Sequence, residues 1–199
     1  MFKTLRKLRV TVPGHFYFKI NNRCVALITT ANKNKGENLI MKTQVRELTT
    51  MAVIAALYVA LCLAFAPISY GPVQFRVAEV LIVLPFYNKK YSFPIILGTF
   101  IANIFMYGLA DMIFGTCATA IICLIIIVCK NKIIIAPAAA IINGVIIGLM
   151  LKFIFNEPGA FWYIMSTVAL GEFAVVLVGV LAFHTVEKTN KKFINLLKE

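Results

Sequence analysis

The feature that most constrains this chain is a succession of long apolar runs separated by short polar breaks. A helix crossing the hydrocarbon core of a bilayer needs about 20 apolar residues, and runs near that length recur from residue 45 onward. Hydrophobic residues make up 61% of the 199, well above the composition of a soluble domain. In lipid every backbone N–H and C=O must be satisfied inside the protein, so runs of this length are read as helices. The expected spans are roughly 47–67, 75–88, 92–109, 111–129, 133–155 and 159–186. The fold class is therefore all-α: an integral membrane bundle of six transmembrane helices.

Charge supplies the orientation. The net charge is +12, from 20 basic and 8 acidic residues. In a soluble protein that excess would suggest nucleic acid. Here the anionic cytoplasmic leaflet is the better explanation, with membrane lipid as the partner and no nucleic acid. Eighteen of the 20 basic residues fall in the N-terminal region, at NKK (88–90), at KNK (130–132) and in the tail EKTNKKFINLLKE. Only Arg76 and Lys152 remain for the other side. With six helices both termini are cytoplasmic, and every basic cluster falls on that face of the cell membrane. The opposite loops PISYGPVQF, GLADMIFG and FNEPGAFWY are poor in basic residues and rich in Gly, Pro and aromatics.

Residues 1–40 differ in composition from the rest of the chain. They are basic, with scattered apolar residues, and CVALITTA is too short to span. No A-x-A site comes after it, which argues against a signal peptide. They are expected to be a disordered leader, with Met41 a possible natural start. Residues 41–199 then form the membrane domain and its basic cytoplasmic tail. The five cysteines show no CxxC or Cys/His cluster and read as small apolar filler, with no metal site.

Ionisable groups inside the apolar runs carry the chemistry. Each costs about 2.5–3.5 kcal/mol on insertion scales, so few persist without a use. In GPVQFRVAEVL, Gln74, Arg76 and Glu79 stand within six residues. Arg76 and Glu79, at i and i+3, share one helix face. They form either a structural ion pair or the lining of a site. Asp111 opens the fourth span, where it caps the helix or faces the same site. Asn103 lies on the third span, on a face running toward Asp111. Glu172 sits about 20 Å into the sixth span at 1.5 Å per residue, with Asn143 at similar depth on the fifth. Its three alternatives are a pair with Arg76, protonation, or a cationic or hydrogen-bond-donating ligand. Trp162, in the last outer loop, serves as an interface anchor or stacks on a flat ligand, and Tyr70 in the first outer loop is a further candidate for stacking.

No GxxxxGK[ST] loop, HExxH or dinucleotide glycine pattern is present, so nothing supports an enzyme. On the first span Ala52, Ala56 and Ala60 repeat every four residues. They form a small-residue stripe that permits close helix approach, in ordinary packing or against a partner.

GPVQFRVAEVL after a first helix, the GLADMIFGT turn and LGEF in the last helix resemble the QueT family of predicted substrate-binding (S) subunits of energy-coupling factor (ECF) transporters. The similarity covers about residues 41–186. It implies a six-helix bundle that captures a queuosine precursor, a deazaguanine-type base, at its outer side. It also implies a transmembrane coupling subunit and two cytoplasmic ATPases as partners. ATP would be used by those partners, with no cofactor in this chain. By position, Ala52, Ala56 and Ala60 fit the contact with the coupling subunit. The alternatives are an S subunit for another vitamin such as riboflavin or thiamine, a stand-alone proton-coupled carrier or channel, and a membrane scaffold.

Overall fold

A computed structural model describes residues 22–69, 75–106 and 108–198. Its elements are α1 (Asn22–Ala64), α2 (Ala66–Ser69), a 3-10 helix (Val77–Val83) running into α3 (Leu84–Tyr87), a 3-10 turn (Lys89–Tyr91), α4 (Ser92–Met106), α5 (Leu109–Cys129), α6 (Lys132–Phe153), α7 (Phe161–Thr189) and α8 (Lys191–Lys198). No strand occurs among the described residues. Two units divide between Arg46 and Glu47. The expected leader, residues 1–40, falls in the first unit. Its residues 1–21 lie outside the described residues, and α1 begins at Asn22. The second unit, from Glu47 onward, is the packed helical bundle.

Among the described residues, four helices are long and apolar enough to cross a membrane: Thr43–Ala64, Leu109–Cys129, Lys132–Phe153 and Phe161–Thr189. Two of the six expected spans are shorter apolar segments, Val77–Tyr87 and the 15-residue α4. The first is wound mainly as a 3-10 helix, which rises about 2.0 Å per residue against 1.5 Å in an α-helix. It therefore covers more distance than its length suggests.

The 3-10 helix runs through the middle of the core. Ala78, Glu79, Leu81, Ile82 and Val83 are all buried. One hydrophobic cluster joins Ile82 to Tyr58 of α1, Ile95 of α4, Ile122 of α5, Ile135 of α6 and Val176 of α7. Val77 and Val80 are half-buried. On α7, Gly179 lies against it: a Cβ there would stand 2.9 Å from the Val80 carbonyl oxygen and 3.1 Å from its Cα. The absence of a side chain lets two backbones touch.

Asparagines break the chain between helices. Asn131 Oδ1 accepts from Ile133 N at 3.0 Å and caps α6. Just before it, Lys130 closes α5 in the left-handed conformation (φ 47°). Asn88 and Asn190 accept in the same manner from Lys90 N (3.1 Å) and Phe193 N (3.1 Å). Such side chains offer the first turn an acceptor that the backbone lacks.

The lysines of these breaks gather at one end. Lys132 pairs with Glu187 and lies 5.2 and 5.4 Å from the ring centroids of Phe86 and Tyr87. Tyr87 in turn packs on Phe183 at 5.9 Å. Lys90 Nζ donates to Glu47 Oε1 at 2.7 Å.

α1 is the least enclosed span. Only 17% of its apolar window is buried, against 33–50% in the other three. Ile54, Ala55, Tyr58 and Cys62 face inward. Ala52, Ala56 and Ala60, on the other side of the helix, are exposed.

Gly179→Ala is expected to destabilise the bundle by about 1–3 kcal/mol, because the new methyl meets backbone that cannot swing aside. Thermal unfolding of the purified protein in detergent checks this. Leu181→Ala, on the exposed face of the same helix, should change stability by roughly 0.5 kcal/mol or less.

Candidate functional site

Arg76 is the residue from which the 3-10 helix starts, and its carbonyl accepts from Glu79 N at 2.8 Å. Residues three apart eclipse one another in this winding, so Arg76 and Glu79 stand in one row. Both are buried, at 4% and 0% exposure. Arg76 Nη2 donates to Asp111 Oδ1 at 2.8 Å. Asp111, fully buried, stands in the first turn of α5. There the unpaired N–H groups and the helix dipole also favour a negative charge. The helix start itself is Gly108, which provides no side-chain cap. The carboxylate thus goes to the arginine.

Asn103, near the end of α4, donates from Nδ2 to the Asp111 carbonyl at 3.1 Å. All three side chains converge over Gly115, one turn further along α5. A Cβ there would collide with Asn103 Nδ2, lie 3.1 Å from Asp111 Oδ1 and stand 3.4 Å from Arg76 Nη1. Glycine is what lets the cluster close over the helix.

Glu79 accepts from the Tyr58 hydroxyl of α1, at 2.6 Å to Oε1. Glu172, 1% exposed, projects from the middle of α7 next to the buried Gly171. It lies within electrostatic reach of Glu79 and Arg76 and beside Asn143 of α6, itself 1% exposed. Six buried polar side chains from five elements therefore meet in one part of the bundle. Three are carboxylates and one is a guanidinium.

The cluster's hydrogen-bonding capacity is unmet. Glu79 Oε2, Asp111 Oδ2, Glu172 Oε1 and both amide atoms of Asn143 have no partner among the described residues. Neither has Thr119 Oγ1, on the α5 face that carries Asp111 and Gly115. More than about 90% of buried polar groups in folded proteins are paired, and each orphan costs roughly 1–3 kcal/mol. A concentration of orphans in one place is the signature of groups arranged to meet something else.

Of the residues singled out from sequence, Arg76, Glu79, Asn103, Asp111, Asn143 and Glu172 come together. Trp162 does not: it is 72% exposed at the start of α7, its ring 5.3 Å from that of Phe161. Tyr70 and Gln74 lie outside the described residues. Sequence reasoning misses Tyr58, since a tyrosine within an apolar run reads as core. Its signal is the inward stripe Ile54, Tyr58, Cys62, on which it is the only hydroxyl. Thr119 is equally visible as the i+8 continuation of Asp111.

A set of membrane-length helices around a buried polar cluster defines a multi-pass membrane protein with a polar interior. The comparison with known proteins is specific on that point. The family model described as QueT transporter matches residues 48–188. The Queuosine precursor transporter QueT of Lactococcus lactis subsp. cremoris (strain MG1363) is 33% identical over 154 residues, 69% of this chain and 90% of that protein. The chain belongs to the QueT transporter family. No solved structure matches it.

Arg76→Met is expected to destabilise the protein by about 3–5 kcal/mol by leaving Asp111 charged and buried without its partner. The double variant Arg76→Met/Asp111→Leu should recover a large part of that loss. A double-mutant cycle on unfolding free energies measures the coupling.

Proposed function

We propose that this chain is the substrate-binding subunit of an ATP-driven ECF transporter, and that it captures a queuosine precursor, a deazaguanine-type base, from outside the cell. The observation that carries this reading is the buried cluster with its unmet donors and acceptors. A purine-like base presents ring N–H and amino donors that suit Glu79 and Glu172, and carbonyl and ring-nitrogen acceptors that suit Asn143. The named activity of the Lactococcus relative points to the same class of solute. In this reading Asn103, Asp111 and Arg76 form the outer wall. Gln74 and Tyr70 remain candidates for contact with the base from the sequence.

The topology follows from the same premise. Val77–Tyr87 and α4 complete six crossings, and both termini are cytoplasmic. The gathering of Lys90, Lys132 and their partners at one end agrees with the excess of basic residues on the cytoplasmic side of membrane proteins. The exposed stripe Ala52, Ala56, Ala60 is the surface for the coupling subunit, since small side chains let another helix approach closely. ATP is consumed by two partner ATPases, and this chain contributes binding alone.

Titrating the purified chain in detergent with 7-deazaguanine-type bases should give saturable one-to-one binding without ATP. Riboflavin and thiamine should fail to raise its melting temperature, whereas the true ligand stabilises in proportion to RT ln(1 + [L]/Kd). Absence of binding, or pH-driven uptake by this chain alone in vesicles, would defeat the reading. Ala56→Trp should leave binding intact and cut uptake by the assembled transporter by an order of magnitude or more, as expected when a bulky ring blocks small-residue helix packing.

A further inference from the structure

We propose that α8 is an in-plane strap that binds the headgroups of anionic phospholipids, and that this contact helps hold it against the end of the bundle. The surface lies beyond the C-terminal end of α5, whereas Asp111 and the polar cluster lie at its start. The proposal is independent of which solute the protein takes.

The placement of α8 leads there. α7 is a membrane-length helix that ends at Thr189. Asn190 then breaks the chain (φ −130°, ψ 75°), and its Oδ1 accepts from Phe193 N at 3.1 Å. α8 turns back onto the bundle and touches both α7 and α3. Ile194 and Leu197, 2% and 9% exposed, join the same hydrophobic cluster as Leu84 and Tyr91. A helix seated on the end of a membrane bundle lies where hydrocarbon gives way to headgroups. The rest of its surface faces whatever occupies that level. Lys191, Lys192 and Asn195 are exposed there, and so is Phe193, at 46%. An aromatic ring beside lysines suits this boundary, the ring toward the acyl chains and the ammonium groups toward phosphate.

Charge chooses the lipid. Lys132 pairs with Glu187 and sits over the rings of Phe86 and Tyr87, so the breaks before α4, α6 and α8 meet in one place. Among the described residues the acids there are Glu47 and Glu187, and each already holds a lysine, Lys90 and Lys132. Lys89, Lys130, Lys188, Lys191 and Lys192 are exposed and have no acidic partner among the described residues. Five like charges around one short helix repel one another and work against its docking. The phosphodiesters of an anionic leaflet supply the missing counter-charge. A zwitterionic headgroup carries its own cation and does not. The attraction amounts to roughly fivefold in affinity for each lysine near the surface.

The first experiment titrates the full purified chain in neutral detergent with phosphatidylglycerol and follows the melting temperature. The temperature should rise, phosphatidylcholine and inorganic phosphate should not reproduce the rise, and added salt should weaken it. In Lys191→Gln/Lys192→Gln the apparent affinity should fall about 25-fold, at fivefold per lysine. Lys191→Arg/Lys192→Arg should retain it. The second experiment places a reporter on α8. Phe193→Trp combined with Trp162→Phe leaves a single tryptophan, since Trp162 is the only one in the sequence. In mixed vesicles, bromine on the phosphatidylglycerol chains should quench its fluorescence more than bromine on the phosphatidylcholine chains. If that variant does not fold, the titration, which leaves Phe193 unaltered, carries the comparison. Equal effects of the two lipids in either experiment overturn the proposal. So does an equal rise with inorganic phosphate, which marks a site for a free anion. An affinity for phosphatidylglycerol that is undiminished in the glutamine variant places the contact elsewhere on the chain and overturns it too.

Discussion

The ion pair between Arg76 and Asp111 organises what surrounds it. Neither charge is tolerable alone where it lies, since an unpaired ion away from water costs several kcal/mol. Pairing them joins two elements 35 residues apart in sequence, the start of the central 3-10 helix and the first turn of α5. With that link made, Asn103 meets the Asp111 carbonyl, Gly115 supplies the clearance, and Glu79 comes into line behind Arg76, within reach of Tyr58. The hydrophobic cluster around Ile82 provides most of the burial. The ion pair sets the register in which that burial occurs.

α1 serves two purposes from two faces. Its inner stripe contributes Tyr58 to the core and a hydrogen bond to Glu79. Its outer stripe is alanine and exposed. Neither stripe compromises the other, because positions two apart on an α-helix point about 200° apart.

Much of this was legible in the sequence for a simple reason: lipid leaves few options. Long apolar runs become helices, and an ionisable residue inside one must turn inward, so Glu172 and Asp111 could be singled out without knowing what lay beside them. What lay beside them was less legible. Hydrophobic periodicity has no purchase on Val77–Val83, where every residue but Glu79 is apolar, so its 3-10 winding left no trace in the pattern. Tyr58 carried no charge to betray it, and its partner is 21 residues away. Trp162 shows the converse. An aromatic at a helix end is compatible with stacking and with anchoring alike, and its exposure places it away from the buried cluster.

The threefold winding of Val77–Val83 makes this segment intolerant of changes in length. Removing or adding one residue between Arg76 and Ile82 would turn everything beyond it by about a third of a revolution. Glu79 would then leave Tyr58, and Val80 would leave the groove at Gly179. Substitutions here can be absorbed one atom at a time, but insertions and deletions cannot, so variation among working versions of this protein should spare the spacing of that stretch even where its side chains differ.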